Sequence, residues 1–566
     1  MLGRHRRSRV LLMLVLWLGV ACHSLNAQES GEPDQNFATY LSFETENLRA
    51  FYAARDGRLV WQHSESVAAF AAALNTLQSD GLNVADYQPG AIMARYRQLQ
   101  TPYTTASDRL RFELSLSRIL LTALTHLQRG KVDPYRIDPE WEIPIMARPL
   151  DYQGISEEVD AQRFEQAFSL ARPYAAPYQR LRAGLAYYRN IQTEGGWPQL
   201  PQRSESLKPG DVDAYVPALR QRLAMIGGPV LPDAMSPGQQ DLQTENPLKY
   251  DDALVEAVRR FQQHHLLEAD GIVGQQTRDA LNVPVAERID QIRANLERAR
   301  WLLHGEASAF ILVDIAGYRI SYFRPNGEIW RSRIVVGQPY RSTPSLRSEI
   351  THLTVNPTWT VPPTIYREDS LPKIRDDIGY LNRQNMSVLD LRGQRLDPQQ
   401  IDWWKPGGIM LRQDPGPMNA LGQLVLRFPN NHSVYLHDTP AQALFGRQQR
   451  AFSSGCIRVQ GITELAQLLF DDTDTVADVS ALIATGETRN ISLRRTVPVI
   501  LHYWTVHPGE DGELVFRPDI YRQDARLQQA LDQTLKPQGW FEFNRLTPGE
   551  SESGPPADVP VPMAAH

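Results

Sequence analysis

The chain has 566 residues, 42% of them apolar and 22% charged, with 59 Lys and Arg against 65 Asp and Glu. This composition excludes a wholly disordered chain, and at ~150 residues per domain the length calls for three or four domains. The formal net charge of −6 gives no electrostatic reason to expect a nucleic-acid partner.

Residues 1–27 read as a secretory signal peptide. Arg4, Arg6, Arg7 and Arg9 precede an apolar run from Val10 to Val20, and Leu25-Asn26-Ala27 resembles an A-x-A cleavage site. The run is shorter than the ~20 residues a membrane span needs. Lipid attachment at Cys22 is the alternative, because Val20-Ala21-Cys22 ends like a lipobox. Either way the chain is expected in the periplasm or cell envelope. Of the two cysteines, Cys22 and Cys456, cleavage leaves Cys456 alone in an oxidising compartment, where no intramolecular disulfide is open to it. Such a thiol is either functional or a buried small hydrophobe.

Residues 28–36 are polar and read as a flexible leader. A helical scaffold domain is expected over 37–198. Its clearest helix runs from Leu110 to Leu127 and stops at Gly130. No cluster of catalytic residue types stands out there, and Gly81-Leu82 and Asp86-Tyr87 read as turns and packing. Residues 199–283 form a separate small helical module. Helices around Ala218–Leu223 and Leu254–Phe261 precede the turn Asp270-Gly271-Ile272-Val273-Gly274-Gln275-Gln276-Thr277. Both glycines are expected to hold backbone positions that a side chain disfavours. The turn, following a helix that ends Phe261-Gln262, resembles the signature of the peptidoglycan-binding-like domain, a three-helix module. His265-Leu266 departs from that family's usual Gly-Leu. The alternative is a structural three-helix domain that binds no glycan.

A charged linker helix is expected over 284–307. The period then changes. Phe310–Phe323, Ile329–Val336, 350–361, 423–427 and 433–437 read as strands, interrupted by an inserted lid at about 362–408. The fold class is multidomain α+β, with a mostly β domain over 308–545 and a disordered tail over 546–566.

Ser433–His437 alternates as a strand, which puts Tyr435 and His437 on one face. Cys456 follows in Ser453-Ser454-Gly455-Cys456-Ile457-Arg458, shortly before a helix beginning near Gly461. A Cys and a His suit acyl transfer: the imidazole takes the thiol proton, the thiolate attacks a carbonyl, and the imidazolium protonates the leaving amine. Gly455 allows close backbone approach and an oxyanion hole from neighbouring amides. Arg458 either lowers the thiol pKa or holds a substrate carboxylate.

His437, fifteen intervening residues and then Ser453-Ser454-Gly455-Cys456 resemble the motif of the L,D-transpeptidase (YkuD-like) catalytic domain. Ser454 stands where that family carries a second histidine, as in its large multidomain branch. Phe428-Pro429-Asn430, Tyr503-Trp504-Thr505 and Asp519-Ile520-Tyr521 fit the same branch. The resemblance implies Cys456 as nucleophile and His437 as general base, with peptidoglycan tetrapeptide stems as donor and acceptor. It implies a thioester at diaminopimelate, release of D-alanine and a 3→3 cross-link, with carbapenems as covalent inhibitors. It implies no cofactor and no ATP, and no His-Glu-x-x-His or Cys-x-x-Cys metal pattern occurs. Water or a protein lysine as acceptor, and a non-catalytic wall-binding scaffold, stay open at this level, as does the oligomeric state. Tyr435 either lines the cleft or packs, and so do Trp359, Tyr366 and Trp404. His432 reads as a turn residue. A backbone carbonyl, rather than the Asp438 carboxylate, is expected to orient His437.

Overall fold

The computed structural model describes residues 35–145, 148–226, 246–303, 308–509 and 512–535. The signal peptide, Cys22, nearly all of the leader and the 546–566 tail lie outside them. The last two leader residues fall in a helix, Gln35–Ser42, so the leader is shorter than expected.

Residues up to Leu59 form one compact unit and residues from Val60 onward a second. In the first, helices Gln35–Ser42 and Glu46–Ala53 bring Phe37 edge-on to Tyr52 at 4.9 Å. The second unit opens with helices. The longest, Ala106–Arg129, starts at a reciprocal capping box between Thr105 and Asp108 and ends at Gly130 (φ 89°). Glu113, buried within it, accepts the Val60 and Trp61 amides at 2.6 and 3.0 Å. Asp80 and Asp86, each buried, hold Arg172 and Lys131 at 2.9 and 2.6 Å. These groups serve the scaffold's packing.

The small module packs helices Val216–Ala224, Asp252–His264 and Gln275–Leu281 around Leu219, Leu254, Val258 and Leu281. Gln262 ties its turn together, accepting the Gly271 amide at 2.9 Å and donating to the Ile272 carbonyl at 3.0 Å. One glycine expectation needs correction. Gly271 is left-handed (φ 76°), and a Cβ there would meet Val255 at 2.8 Å. Gly274 is an ordinary extended N-cap (φ −79°) with only Ser206 at 3.7 Å. Gly271→Ala is therefore expected to lower module stability by about 1–2 kcal/mol or more. Gly274→Ala should lie within ~0.5 kcal/mol of wild type in urea denaturation.

The charged helix expected as a linker, Val285–Leu302, packs into the core. Ile289, Ile292, Leu296 and Ala299 pack against helix Ala176–Thr193 and the C-terminal segment. Several of its polar residues are buried with partners. Glu297 accepts the Val132 amide at 2.6 Å and pairs with Arg300, Asn295 exchanges two hydrogen bonds with Thr505, and Arg298 meets Asp524 at 2.5 Å. Pairing lets these charges be buried.

The β domain carries β1 (Phe310–Asp314), β2 (Arg319–Phe323), β3 (Ile329–Gly337) and β4 (Leu346–Val355). The insertion holds β5 (Trp359–Thr360), β6 (Met386–Asp390) and β7 (Ile409–Gln413). Then come β8 (Leu424–Arg427), β9 (Leu436–His437), β10 (Ala451–Ser453), β11 (Ile457–Val459) and β12 (Arg489–His502). A hairpin of β13 (Val506–Pro508) and β14 (Leu514–Phe516) follows. Nine strands run in the order β10-β3-β11-β9-β8-β4-β12-β1-β2, and a further β2–β3 pairing closes eight of them into a barrel. Its interior takes Ile311, Ile334, Leu353, Leu436 and Ile457, covered by Leu465 and Leu469 of helix Ile462–Asp472.

Three strand expectations change. The Phe310–Phe323 strand folds back on itself as the hairpin of β1 and β2, turning over residues 315–318 with Tyr318 left-handed (φ 53°). The 433–437 strand reduces to Leu436–His437 because Ser433 is left-handed (φ 54°) and Asn430 caps the preceding turn, accepting the His432 and Val434 amides. The 350–361 strand breaks at Asn356 (φ 43°) into β4 and β5. The expected lid is a small subdomain of its own. Its β5-β7-β6 sheet and short helices enclose Val361, Leu371, Ile374, Val388, Trp403 and Leu411.

Candidate active site

The register of β9 and β11 builds the site. They pair in parallel, Leu436 with Ile457 and His437 with Arg458, and the Ile457 amide donates to the Tyr435 carbonyl at 3.1 Å. Val434, Leu436, Ile457 and Val459 enter the barrel core. Alternation therefore sends Tyr435, His437, Cys456 and Arg458 to the outer face. Cys456 falls beside Tyr435 and diagonal to His437.

His437 is buried, 4% exposed, and its Nδ1 donates to the backbone carbonyl of Asp438 at 2.5 Å. A carbonyl can only accept, so the neutral ring carries its proton on Nδ1 and a lone pair on Nε2. Burial, reinforced by the Arg458 charge, holds its pKa down to about 3. The Asp438 carboxylate instead accepts the Gln423 amide at 3.0 Å.

Cys456 is half-buried, and burial pushes its thiol above the usual range. Hydrogen bonds from Tyr435 and the charges of Arg427 and Arg458 partly oppose this. The sulfur contacts the Ser433 carbonyl at 3.8 Å and the Tyr435 hydroxyl, and no hydrogen bond joins it to the imidazole in this arrangement. Thiol and imidazole are thus both neutral at rest. Alkylation of Cys456 by iodoacetamide is expected to rise about tenfold per pH unit from pH 6 to 9. A plateau between pH 4 and 8 would instead reveal a preformed thiolate–imidazolium pair.

Tyr435 adjoins both groups. Its ring lies edge-on to His437 at 5.7 Å, Trp359 of β5 hydrogen-bonds its hydroxyl, and the Arg427 guanidinium lies 5.1 Å from the ring centroid. Trp359 therefore belongs to the site. Trp404 is 74% exposed and rests against Arg375, and Tyr366 packs against the insertion's own core. His432 sits in the Asn430-capped turn, 3.3 Å from Glu142.

The Cys456 loop is held by neighbours from several parts of the chain. Ser453 Oγ donates to the Cys456 carbonyl at 2.5 Å and accepts the Gly455 amide at 3.2 Å. The Gly455 amide is thus already used and is not an open oxyanion donor. Its left-handed φ of 111° explains the glycine instead. Thr343 Oγ1 donates to the Gly455 carbonyl at 2.8 Å, and its own amide donates to the Tyr521 hydroxyl at 3.1 Å. Ser454, exposed, accepts from Arg341 at 2.8 Å, and Arg341 also pairs with Glu368 and Asp369 of the insertion at 2.5 and 2.7 Å. Only Ser453 and Tyr521 carried a sequence signal, in Ser453-Ser454-Gly455-Cys456 and Asp519-Ile520-Tyr521. Thr343, Arg341 and Arg427 come from strands and loops distant in sequence. Among the described residues no group of His, Cys, Asp and Glu could hold a metal ion.

Residues 308–479 match the family model of the L,D-transpeptidase catalytic domain (YkuD) and residues 46–185 that of a scaffold domain. Residues 216–281 match a model described as "Putative peptidoglycan binding domain". In chain order, the matched segments are thus scaffold-like, like a putative peptidoglycan-binding domain, and like the YkuD L,D-transpeptidase catalytic domain. A Haemophilus influenzae protein described as "Putative L,D-transpeptidase" is 37% identical over 224 residues, covering 39% of this chain and 45% of its own length. The chain thus spans less than half of that relative. Two solved structures are similar at 15% identity and a TM-score of 0.17. An L,D-transpeptidase from Mycobacterium smegmatis is matched over 35% of this chain and 59% of its own. An L,D-transpeptidase fragment from Xylanimonas cellulosilytica is matched over 53% and 100%. At that score neither superposition bears on the site.

Proposed function

We propose that the protein is a cell-envelope L,D-transpeptidase that forms 3→3 cross-links in peptidoglycan through a thioester on Cys456. The observation that carries this is the parallel register of β9 and β11, which presents Cys456, Tyr435, His437 and Arg458 on one face with His437 Nδ1 committed to the Asp438 carbonyl.

The donor is a tetrapeptide stem. A rotation of the Cys456 side chain away from the Ser433 carbonyl turns the sulfur toward Nε2, the nitrogen holding the lone pair. His437 Nε2 takes the thiol proton as sulfur attacks the carbonyl of diaminopimelate. The Cys456 amide, which meets no acceptor among the described residues, and the Tyr435 hydroxyl supply donors to the developing oxyanion. Collapse breaks the bond to D-alanine, whose amine leaves with the proton from His437. The side-chain amine of diaminopimelate on a second stem then attacks the thioester and gives its proton to His437, and the thiol is restored. Proton uptake by so buried an imidazole is transient, which suits a group that must return the proton within the same step.

Incubation of the full chain with purified disaccharide-tetrapeptide tests this reading. Free D-alanine together with dimers linked 3→3 is the expected result. Tripeptide monomers alone would identify a carboxypeptidase, and no D-alanine would remove the proposal altogether.

A further inference from the structure

Beside the catalytic face lies a strongly basic groove of about 560 Å³, lined by Arg319, Arg331, Arg333, Arg447 and Arg450 and by no acidic residue. It contrasts with the acidic chain as a whole. Arg319 of β2 and Arg333 of β3 are register partners on the outer face, and both are exposed, as is Arg447. Arg450 forms part of the wall. It is 9% exposed, and its guanidinium is spent on the carbonyls of Ile334, Arg447 and Tyr318 at 2.7 to 3.2 Å. Those carbonyls satisfy its hydrogen bonds without neutralising its charge. No carboxylate pairs with Arg319, Arg333, Arg447 or Arg450 among the described residues. Burial and the neighbouring Arg333 hold the Arg450 pKa down to about 10, as uncompensated like charges should.

A second observation adjoins the first. Arg319 and Arg331 also line a cavity of about 710 Å³ between the barrel and the small helical module. Its wall includes His502, 6% exposed, with both ring nitrogens unpartnered, and Trp504, 7% exposed, with an unpartnered Nε1. Buried polar atoms left without partners inside a protein are costly, so they mark a place where a ligand's polar atoms fit. The acid in the cavity lining, Asp314, is taken by Arg517 at 2.7 Å, and Glu513 beside the cavity faces His264 at 3.3 Å.

We infer that this groove is a binding subsite for the carboxylates of a peptidoglycan stem peptide, with the adjoining cavity taking the rest of that molecule. The inference rests on the function proposed above and names where a stem is gripped away from the thiol. Guanidinium groups in a cluster match carboxylates by charge and by paired N–H donors. The groove is built on the same two segments as the site. β3 carries Arg331 and Arg333 and pairs through its far end with β10 before Cys456. The connection leaving His437 carries Arg447 and Arg450.

The test uses full-length protein carrying Cys456→Ser, which permits binding without turnover. Disaccharide-tetrapeptide and the same compound with its carboxyl groups amidated are titrated against this protein and against versions with Arg333→Glu and Arg447→Glu added. Binding weakened at least tenfold by the paired substitutions and by amidation, and weakened by salt, is the expected result. The same arginine substitutions on the wild-type thiol should leave iodoacetamide alkylation within a factor of two. Equal affinity for all four combinations would overturn the subsite, as would retention on phosphatidylglycerol vesicles in place of the peptide. Failure of the wild-type chain to release D-alanine would instead strike the proposed function, and the binding arms would still decide the groove.

Discussion

Cys456→Ser is expected to abolish D-alanine release from tetrapeptide, by a factor on the order of 10⁴–10⁶, while leaving the fold intact. Serine is close in size, but its hydroxyl is far less acidic than the thiol, and an imidazole whose basicity burial and Arg458 hold low takes its proton much less readily. His437→Gln should cost about 10²–10⁴. The two effects should not add, since sulfur and imidazole act as one unit. A Cys456→Ser/His437→Gln double variant no slower than Cys456→Ser alone is the expected pattern in a coupled assay of D-alanine.

The largest structural effect is expected at Glu297. Its carboxylate is fully buried, pairs with Arg300 and accepts the Val132 amide at 2.6 Å. Glu297→Ala leaves Arg300 as a buried cation and Val132 without an acceptor, at a cost of about 3–5 kcal/mol. Glu297→Gln keeps an acceptor for Val132 and should recover part of that loss. Thermal unfolding followed by circular dichroism checks both. Because the helix bearing Glu297 also meets Thr505 and Asp524, the C-terminal segment should loosen together with the scaffold.

The reach of the sequence follows from the range of the interactions. The three matched domains announced themselves through local signals: the apolar face of Leu110–Leu127, the Asp270–Thr277 turn, and the His437 to Cys456 spacing. The face shared by Tyr435 and His437 was readable because alternation is local. The closure of the barrel was not, since β2 meets β3 and β12 meets β1 through pairings that no periodicity encodes. The Val285–Leu302 helix was readable as a helix, but its burial was not, because it depends on Asp524, far along the chain, folding against Arg298. The nucleophile loop depends likewise on Thr343 and Tyr521, more than a hundred residues apart in sequence. Gly274 looked like a conformational glycine because its neighbour Gly271 is one. The diagonal placement of Cys456 and His437 comes from the β9–β11 register, which spacing does not encode, and the sulfur's turn toward the Ser433 carbonyl is a side-chain conformation that no sequence pattern shows.

Intact-mass analysis after exposure to a carbapenem tests the sulfur's role most directly. Wild-type protein should gain the mass of one ring-opened carbapenem, and Cys456→Ser should gain none. An unmodified wild-type chain, or an adduct that persists in Cys456→Ser, would contradict the account.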